Sequence, residues 1–235
     1  MKLLCALLLV AGCYLPVSGQ QLPDSLKAVI ASDAPTTERL WAYQDLAKYY
    51  TPIDSVLAAR YINEGTAIAQ EAEDDKALLI FGYHTGELLR NRRHYDEAKA
   101  VYEEVLQRSE AQNYPSIAGS CLSAIAEIHR WRREFELSIS LLKKSTKLHQ
   151  KSGHQPSLAF SLLVLARNYS DLQVYDTAIQ YYQQSALACQ QSDAQKLHAY
   201  CMQHMGETYQ RQFKYEAAMQ AYKKSLRISE QIQER

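Results

Sequence analysis

The chain has 235 residues, 47% of them hydrophobic and 22% charged, with 26 Lys plus Arg balanced by 26 Asp plus Glu. Zero formal net charge removes any whole-molecule attraction to nucleic acid or anionic membranes. Eight Gly and six Pro argue against a turn-rich all-β fold, while 17 Tyr against four Phe call for a structural cause.

The first residues stand apart from the rest. "MKLLCALLLVAGCYLPVSGQ" places Lys2 before an apolar run from Leu3 to Leu15, then Pro16 and the triplet Val17-Ser18-Gly19. This reads as a secretory signal peptide, residues 1–19, cleaved after Gly19, because the run is short for a membrane span. A second reading takes "VAGC" as a lipobox with Cys13 as the lipidated residue; the early place of Cys13 favours simple cleavage. Either way the mature chain is expected outside the cytoplasm, periplasmic or secreted, with no membrane span. Beyond the leader only Cys121, Cys189 and Cys201 remain, an odd and sparse set without CxxC spacing. They read as small buried hydrophobes, with a Cys189–Cys201 bridge as the alternative.

Residues 20–39 hold one amphipathic segment, Asp24 to Ser32, expected to form a capping helix with Asp24 at its N-cap. Five concordant units follow. "GETYQRQFKYEAAMQAYKKSL" at Gly206 aligns with stretches starting at Ala166, Ala126 and Gly86, each 40 residues earlier, and with one at Ala47, 39 earlier. A fixed period of about 20 to 50 residues signals a solenoid or array. The first slot is always small (Ala47, Gly86, Ala126, Ala166, Gly206), so two helices can approach closely. Three residues on, Tyr50, Leu89, His129, Tyr169 or Tyr209 shares its helical face. An aromatic nine after the slot (Tyr95, Phe135, Tyr175, Tyr215) closes a turn, and an acid follows it where a helix N-terminus favours negative charge. Then a small residue pairs with a bulky one four later, as in Ala98/Tyr102, Ala178/Tyr182 and Ala218/Tyr222. Each unit is therefore helix, turn, helix, and the units are set at 40–78, 79–118, 119–158, 159–198 and 199–235. Nine Tyr occupy repeat slots and are expected to pack: Tyr50, Tyr95, Tyr102, Tyr169, Tyr175, Tyr182, Tyr209, Tyr215 and Tyr222.

This pattern resembles the tetratricopeptide repeat (TPR), from Leu40 onward, in an exported bacterial form with 40-residue repeats. It departs from the family pattern in its longer period, against about 34 residues, in the Trp slot (Tyr43, Gly82, Leu122, Leu162, Met202), and in lacking the closing Pro. "NYPS" and "GHQPS" mark two inter-repeat turns instead. The resemblance implies an all-α fold, a right-handed α-solenoid of antiparallel helix pairs, with first helices lining a concave surface.

Chemistry-bearing motifs are absent from the sequence. None of the seven His sits in a metal-ligand spacing, and no P-loop, GxSxG or dinucleotide fingerprint occurs. No enzyme and no cofactor are expected. His129, in a Tyr slot, reads as a core histidine, and the acids near "RNRRH" and "HRWRRE" neutralise those runs in local ion pairs rather than leave them to nucleic acid.

Family geometry places exposed groove positions six and three before the small slot and one, four and five after it. The candidate partner-binding residues are Trp41, Tyr83, Glu87, Arg90, Asn91, Glu127, Arg130, Trp131, Phe160, Arg167, Tyr200, Glu207 and Arg211. Lys48, Thr51, Ser120, Ser123, Leu163, Ser170 and Asp171 fall at the same offsets. Aromatics and Arg suit interface anchors; the competing reading makes Glu87–Arg90 and Glu127–Arg130 i, i+3 pairs on a wet face. The Lys/Asn pair with which some family members grip a C-terminal carboxylate does not occur. The expected function is an exported scaffold for a protein or peptide. The alternative is the sensory portion of a bacterial signalling protein, whose kinase or helix-turn-helix output is not in these residues.

Overall fold

The computed structural model describes residues 21–192 and 194–233; the expected leader, 1–19, and Cys13 lie outside them. Among the described residues there are eleven α-helices and no strand. A short helix, α1 (Gln21–Ile30), precedes five antiparallel pairs. The first helices of the pairs are α2 (Thr36–Tyr50), α4 (Asp75–Asn91), α6 (Pro115–Trp131), α8 (Gln155–Asp171) and α10 (Gln195–Arg211). Their partners are α3 (Ser55–Glu71), α5 (Tyr95–Ala111), α7 (Phe135–Ser152), α9 (Tyr175–Gln191) and α11 (Tyr215–Gln233). The expected unit boundaries at 79, 119, 159 and 199 fall inside the first helices, which start four residues earlier.

The helix ends follow from local chemistry. Asp54 caps α3, accepting from the backbone N–H of Val56 at 2.9 Å and Leu57 at 3.0 Å, and Asp74 caps α4 through Ala77 at 2.9 Å. Pro115 and Pro156 sit in the first turns of α6 and α8, where a missing N–H costs nothing. Asp96, Glu136, Asp176 and Glu216 occupy first turns, against the positive end of the helix dipole. One left-handed residue reverses the chain at most turns: Glu73, Arg93, Asn113, Arg133, Gly153 and Gln173, 20 residues apart, and Phe213. At the third of these reversals the N–H of Tyr114 reaches back to the Ser109 carbonyl at 2.8 Å, the closing bond of a Schellman motif. Six of the seven are not Gly, so the backbone there carries modest strain.

Small slots meet large rings. A Cβ on Gly86 would lie 2.4 Å from the Tyr102 ring, and one on Gly206 would lie 2.7 Å from Tyr222. Tyr102 and Tyr182 are fully buried in this way. A hydroxyl contact recurs as well: Ser145, Ser185 and Ser225 donate to the carbonyls of Gly119, Ala159 and Ala199 at 2.7, 2.7 and 2.8 Å, tying each second helix to its first. Ser145 also shares a buried hydroxyl cluster with Ser123 and Ser161, at 2.7 to 2.9 Å, where three helices cross.

Several expectations need correction. Helix α1 begins before Asp24, which therefore sits in its first turn and pairs with Lys27 at 3.2 Å rather than capping it. The helix does cover the first pair, with Leu26 buried in its core. The expected burial of Cys121, Cys189 and Cys201 holds, all three being free thiols, so only the alternative Cys189–Cys201 bridge is set aside; Cys201 donates to the Tyr182 carbonyl at 3.0 Å. Tyr215 is 59% exposed, as are Met219 (52%) and Leu226 (59%), because nothing among the described residues packs on the outer face of α11. Burial does hold for His129, which pairs with Glu134.

Candidate partner-binding surface

Successive first helices touch one another, whereas successive second helices do not. The array thus curves with its first helices inside, and residues 40 apart become neighbours across that inner face. Three rows of side chains run over it. One holds Lys48, Glu87, Glu127, Arg167 and Glu207; the next Thr51, Arg90, Arg130, Ser170 and Gln210; the third Pro52, Asn91, Trp131, Asp171 and Arg211.

The rows are knitted by ion pairs between repeats. Arg90 on α4 pairs with Glu87 at 2.9 Å and reaches across to Glu127 on α6. The other oxygen of Glu127 lies 3.6 Å from Arg167 on α8. Arg130 on α6 donates to Asp171 on α8 at 2.9 Å, and Arg211 on α10 lies 3.6 Å from the same carboxylate. Of the two expected i, i+3 pairs, Glu87–Arg90 is present, while Glu127 and Arg130 each turn to a neighbouring repeat. Tyr102 adds a hydroxyl to Glu87 at 2.7 Å. Burial opposes the charge on Arg90, but Glu87 and Glu127 outweigh it and raise its pKa. Arg130 goes the other way: burial, then the like charge of Arg167, lowers its pKa against the pull of Asp171.

This arrangement sorts the sequence candidates. Glu127 was expected to be exposed and is only 5% so, because a neighbour 40 residues away covers it on either side. Ser123 and Leu163 are likewise sealed between stacked helices. Arg90, Arg130 and Arg167 form the floor of the groove, with Tyr83, Glu87, Phe160 and Glu207 half-buried around them. Trp41, Asn91, Trp131, Tyr200 and Arg211 stand exposed. Trp131 packs edge-on against Tyr95, and the Arg90 guanidinium lies 5.9 Å over its ring.

Two clefts open on this face. One, of about 480 Å³, lies among Lys48, Tyr83, His84, Glu87, Arg90 and Asn91; burial lowers the His84 pKa to about 4 and leaves it neutral at pH 7. The other, of about 150 Å³ and mostly polar, lies among Arg130, Arg167, Asp171, His204, Thr208 and Arg211. His204 and Thr208 escaped the sequence reading because their offsets from the small slot face sideways in an isolated helix and reach the groove only when α10 stacks on α8. A cleft of about 490 Å³ between α9 and α11 is larger, but it is the seam between neighbouring repeats on the outer side and brings together only one charged group, Lys224. Among the described residues no three His, Cys, Asp or Glu are grouped to hold a metal. No helix there is long and apolar enough to cross a membrane.

The fold and the groove define a tetratricopeptide-type α-solenoid. A tetratricopeptide-repeat family model matches residues 119–186 and 169–231, within the last three helix pairs. No curated protein matches the chain. Among solved structures the chain is similar to BtubC from P. vanneervenii, at 16% identity and TM-score 0.64, covering 91% of this chain and 89% of that one. It is also similar to the Rap conjugation gene regulator of plasmid pLS20 in complex with the Phr* peptide (12% identity, TM-score 0.66, 92% and 69% covered). A third likeness is to a signal transduction ATPase from Pyrococcus horikoshii with a tetratricopeptide repeat sensor (19% identity, TM-score 0.60), of which the match spans 32%. At these identities the likeness is one of fold.

Proposed function

We propose that the chain is a non-catalytic repeat scaffold that holds a protein or peptide partner along the inner surface of its first helices. The observation that supports this most is the pair of open clefts on that surface, with Trp41, Trp131 and Tyr200 exposed on the same helices. Exposed aromatics beside arginines are the usual anchors of an interface. An inner surface fixed by ion pairs is pre-organised, which reduces the entropy a partner must offset on binding. A peptide-bound structural neighbour is consistent with the reading.

The leader-like N-terminus supports export, so the scaffold is proposed to act in the periplasm or outside the cell, freed after Gly19 or, in the lesser reading, anchored through Cys13. A second reading, the sensory portion of a signalling protein, draws on the neighbour whose repeats are named as a sensor.

Both parts are open to test. Selection of a random linear peptide library on the folded chain should recover binders that lose affinity when Trp131 or Tyr200 is changed to Ala. Binders indifferent to both changes would place the interface elsewhere. The mass of the chain recovered after expression in a bacterium should begin at Gln20 and fractionate with the envelope; an intact Met1 in the cytosol refutes export.

A further inference from the structure

We propose that the small polar cleft between α6, α8 and α10 is an anion subsite in which Arg130, Arg167 and Arg211 take a side-chain carboxylate of the bound peptide. The inference rests on the peptide-groove reading and adds the chemistry of one of its contacts.

The cleft converges three guanidinium groups on too little negative charge. Among the described residues Arg130, nine-tenths buried, makes one hydrogen bond, to Asp171, while its Nε has no partner. Arg167 has a single contact with a carboxylate, Glu127 at 3.6 Å, and Arg90 already holds the other oxygen of that group. Arg211 has the second oxygen of Asp171 at 3.6 Å, longer than a hydrogen bond. Glu207 lines the cleft but is engaged by His204 at 2.8 Å and by Gln203 at 3.2 Å. A guanidinium offers N–H donors from all three nitrogens; here the buried Arg130 Nε meets no acceptor among the described residues, and Arg167 and Arg211 have only the long contacts above.

Leaving the Arg130 Nε unpaired is costly in a partly desolvated cleft. The lowered pKa of Arg130, caused by burial and then by Arg167, reports the same shortage of negative charge. A carboxylate is planar and matches a guanidinium fork in a two-point contact. The volume, about 150 Å³, admits such a group and little more. The hydroxyls of Ser170 and Thr208, 3.0 Å apart at the wall, bond each other, and Thr208 donates to the His204 carbonyl at 2.9 Å, so the donors left for a ligand are those of the arginines. At the opposite end of the groove, Lys48 lines the wider cleft and not this one.

The test uses the peptides recovered by the selection described above. They should carry Asp or Glu at a constant spacing from an apolar residue. Changing that acid to its amide should weaken binding by about 10- to 100-fold, the range for one charged hydrogen-bonded contact. Arg211→Gln, at a half-exposed position that spares the fold, should produce the same loss with the acidic peptide and little further loss with the amide. Arg167→Gln should do likewise, and Lys48→Gln should leave the acid dependence intact. Recovered peptides without a required acid, or with one whose effect ignores Arg167 and Arg211, overturn the anion subsite and leave the peptide groove standing. Recovery of no peptide at all overturns both.

Discussion

Replacing Glu127 with Ala should be the most damaging single change on the inner face. The Glu127 side chain is 7% exposed and serves two arginines from two other repeats, Arg90 and Arg167. Its loss leaves Arg167 without a carboxylate contact and Arg90 with Glu87 alone. Breaking a buried ion pair from one side costs about 3–5 kcal/mol, because the remaining charge stays desolvated. Arg90 keeps one partner and Arg167 is 21% exposed, so the lower end, about 3 kcal/mol, is expected here. For a chain of this length that lowers Tm by about 6–12 °C. Urea unfolding followed by circular dichroism gives the total. Amide exchange resolved along the chain shows where it falls, since a solenoid can open repeat by repeat. Protection should drop first in α4, α6 and α8. Adding Arg90→Met to Glu127→Ala should recover part of the loss, as removal of both charges ends the desolvation penalty. A Glu127→Ala protein within about 0.5 kcal/mol of the parent would show that the ladder is a screened surface contact and refute the reasoning.

His149 is fully buried, with no hydrogen bond of normal geometry to either ring nitrogen among the described residues; burial, then the nearby His154, lowers its pKa to about 4 from 6.5 against a pull from the Gly119 backbone. The folded state therefore resists the proton that the unfolded state accepts. Stability is complete above the unfolded value and falls as pH drops from 6.5 toward 4, by about 3 kcal/mol from this group. Chemical denaturation at stepped pH should show the fall, and His149→Leu should flatten it; an equal slope in the variant would assign the acid sensitivity elsewhere. At the left-handed turns, Gln173→Gly should raise stability and Gly153→Ala should lower it, each by about 0.5–1 kcal/mol, since only Gly adopts positive φ without steric cost. Shifts of the urea midpoint in those opposite directions are the check, and shifts of one sign would contradict the strain assigned to these turns.

Much of the architecture was legible in the primary sequence, and for a local reason. The 40-residue period, the small slots opposite Tyr102, Tyr182 and Tyr222, and the acids in first turns all act within one helix pair, so residue order is enough to specify them. The serines at 145, 185 and 225 carried the same period and could have been read as a further packing rule. What spacing along one helix could not assign were contacts between repeats. Glu127 and Arg130 are three residues apart and looked like partners, yet each is claimed by a residue about 40 positions away. The exposure of Tyr215 was equally hidden, since it depends on whether another helix covers α11 and not on its own repeat slot.

The sequence by itself determined that helices pair, where they turn and which rings fill which small slots, because those interactions run over short chain separations. Only the tertiary structure decided which charges meet, which are buried and where three arginines are left short of carboxylates. The curvature of the stacked first helices sets those distances, and no single repeat contains it.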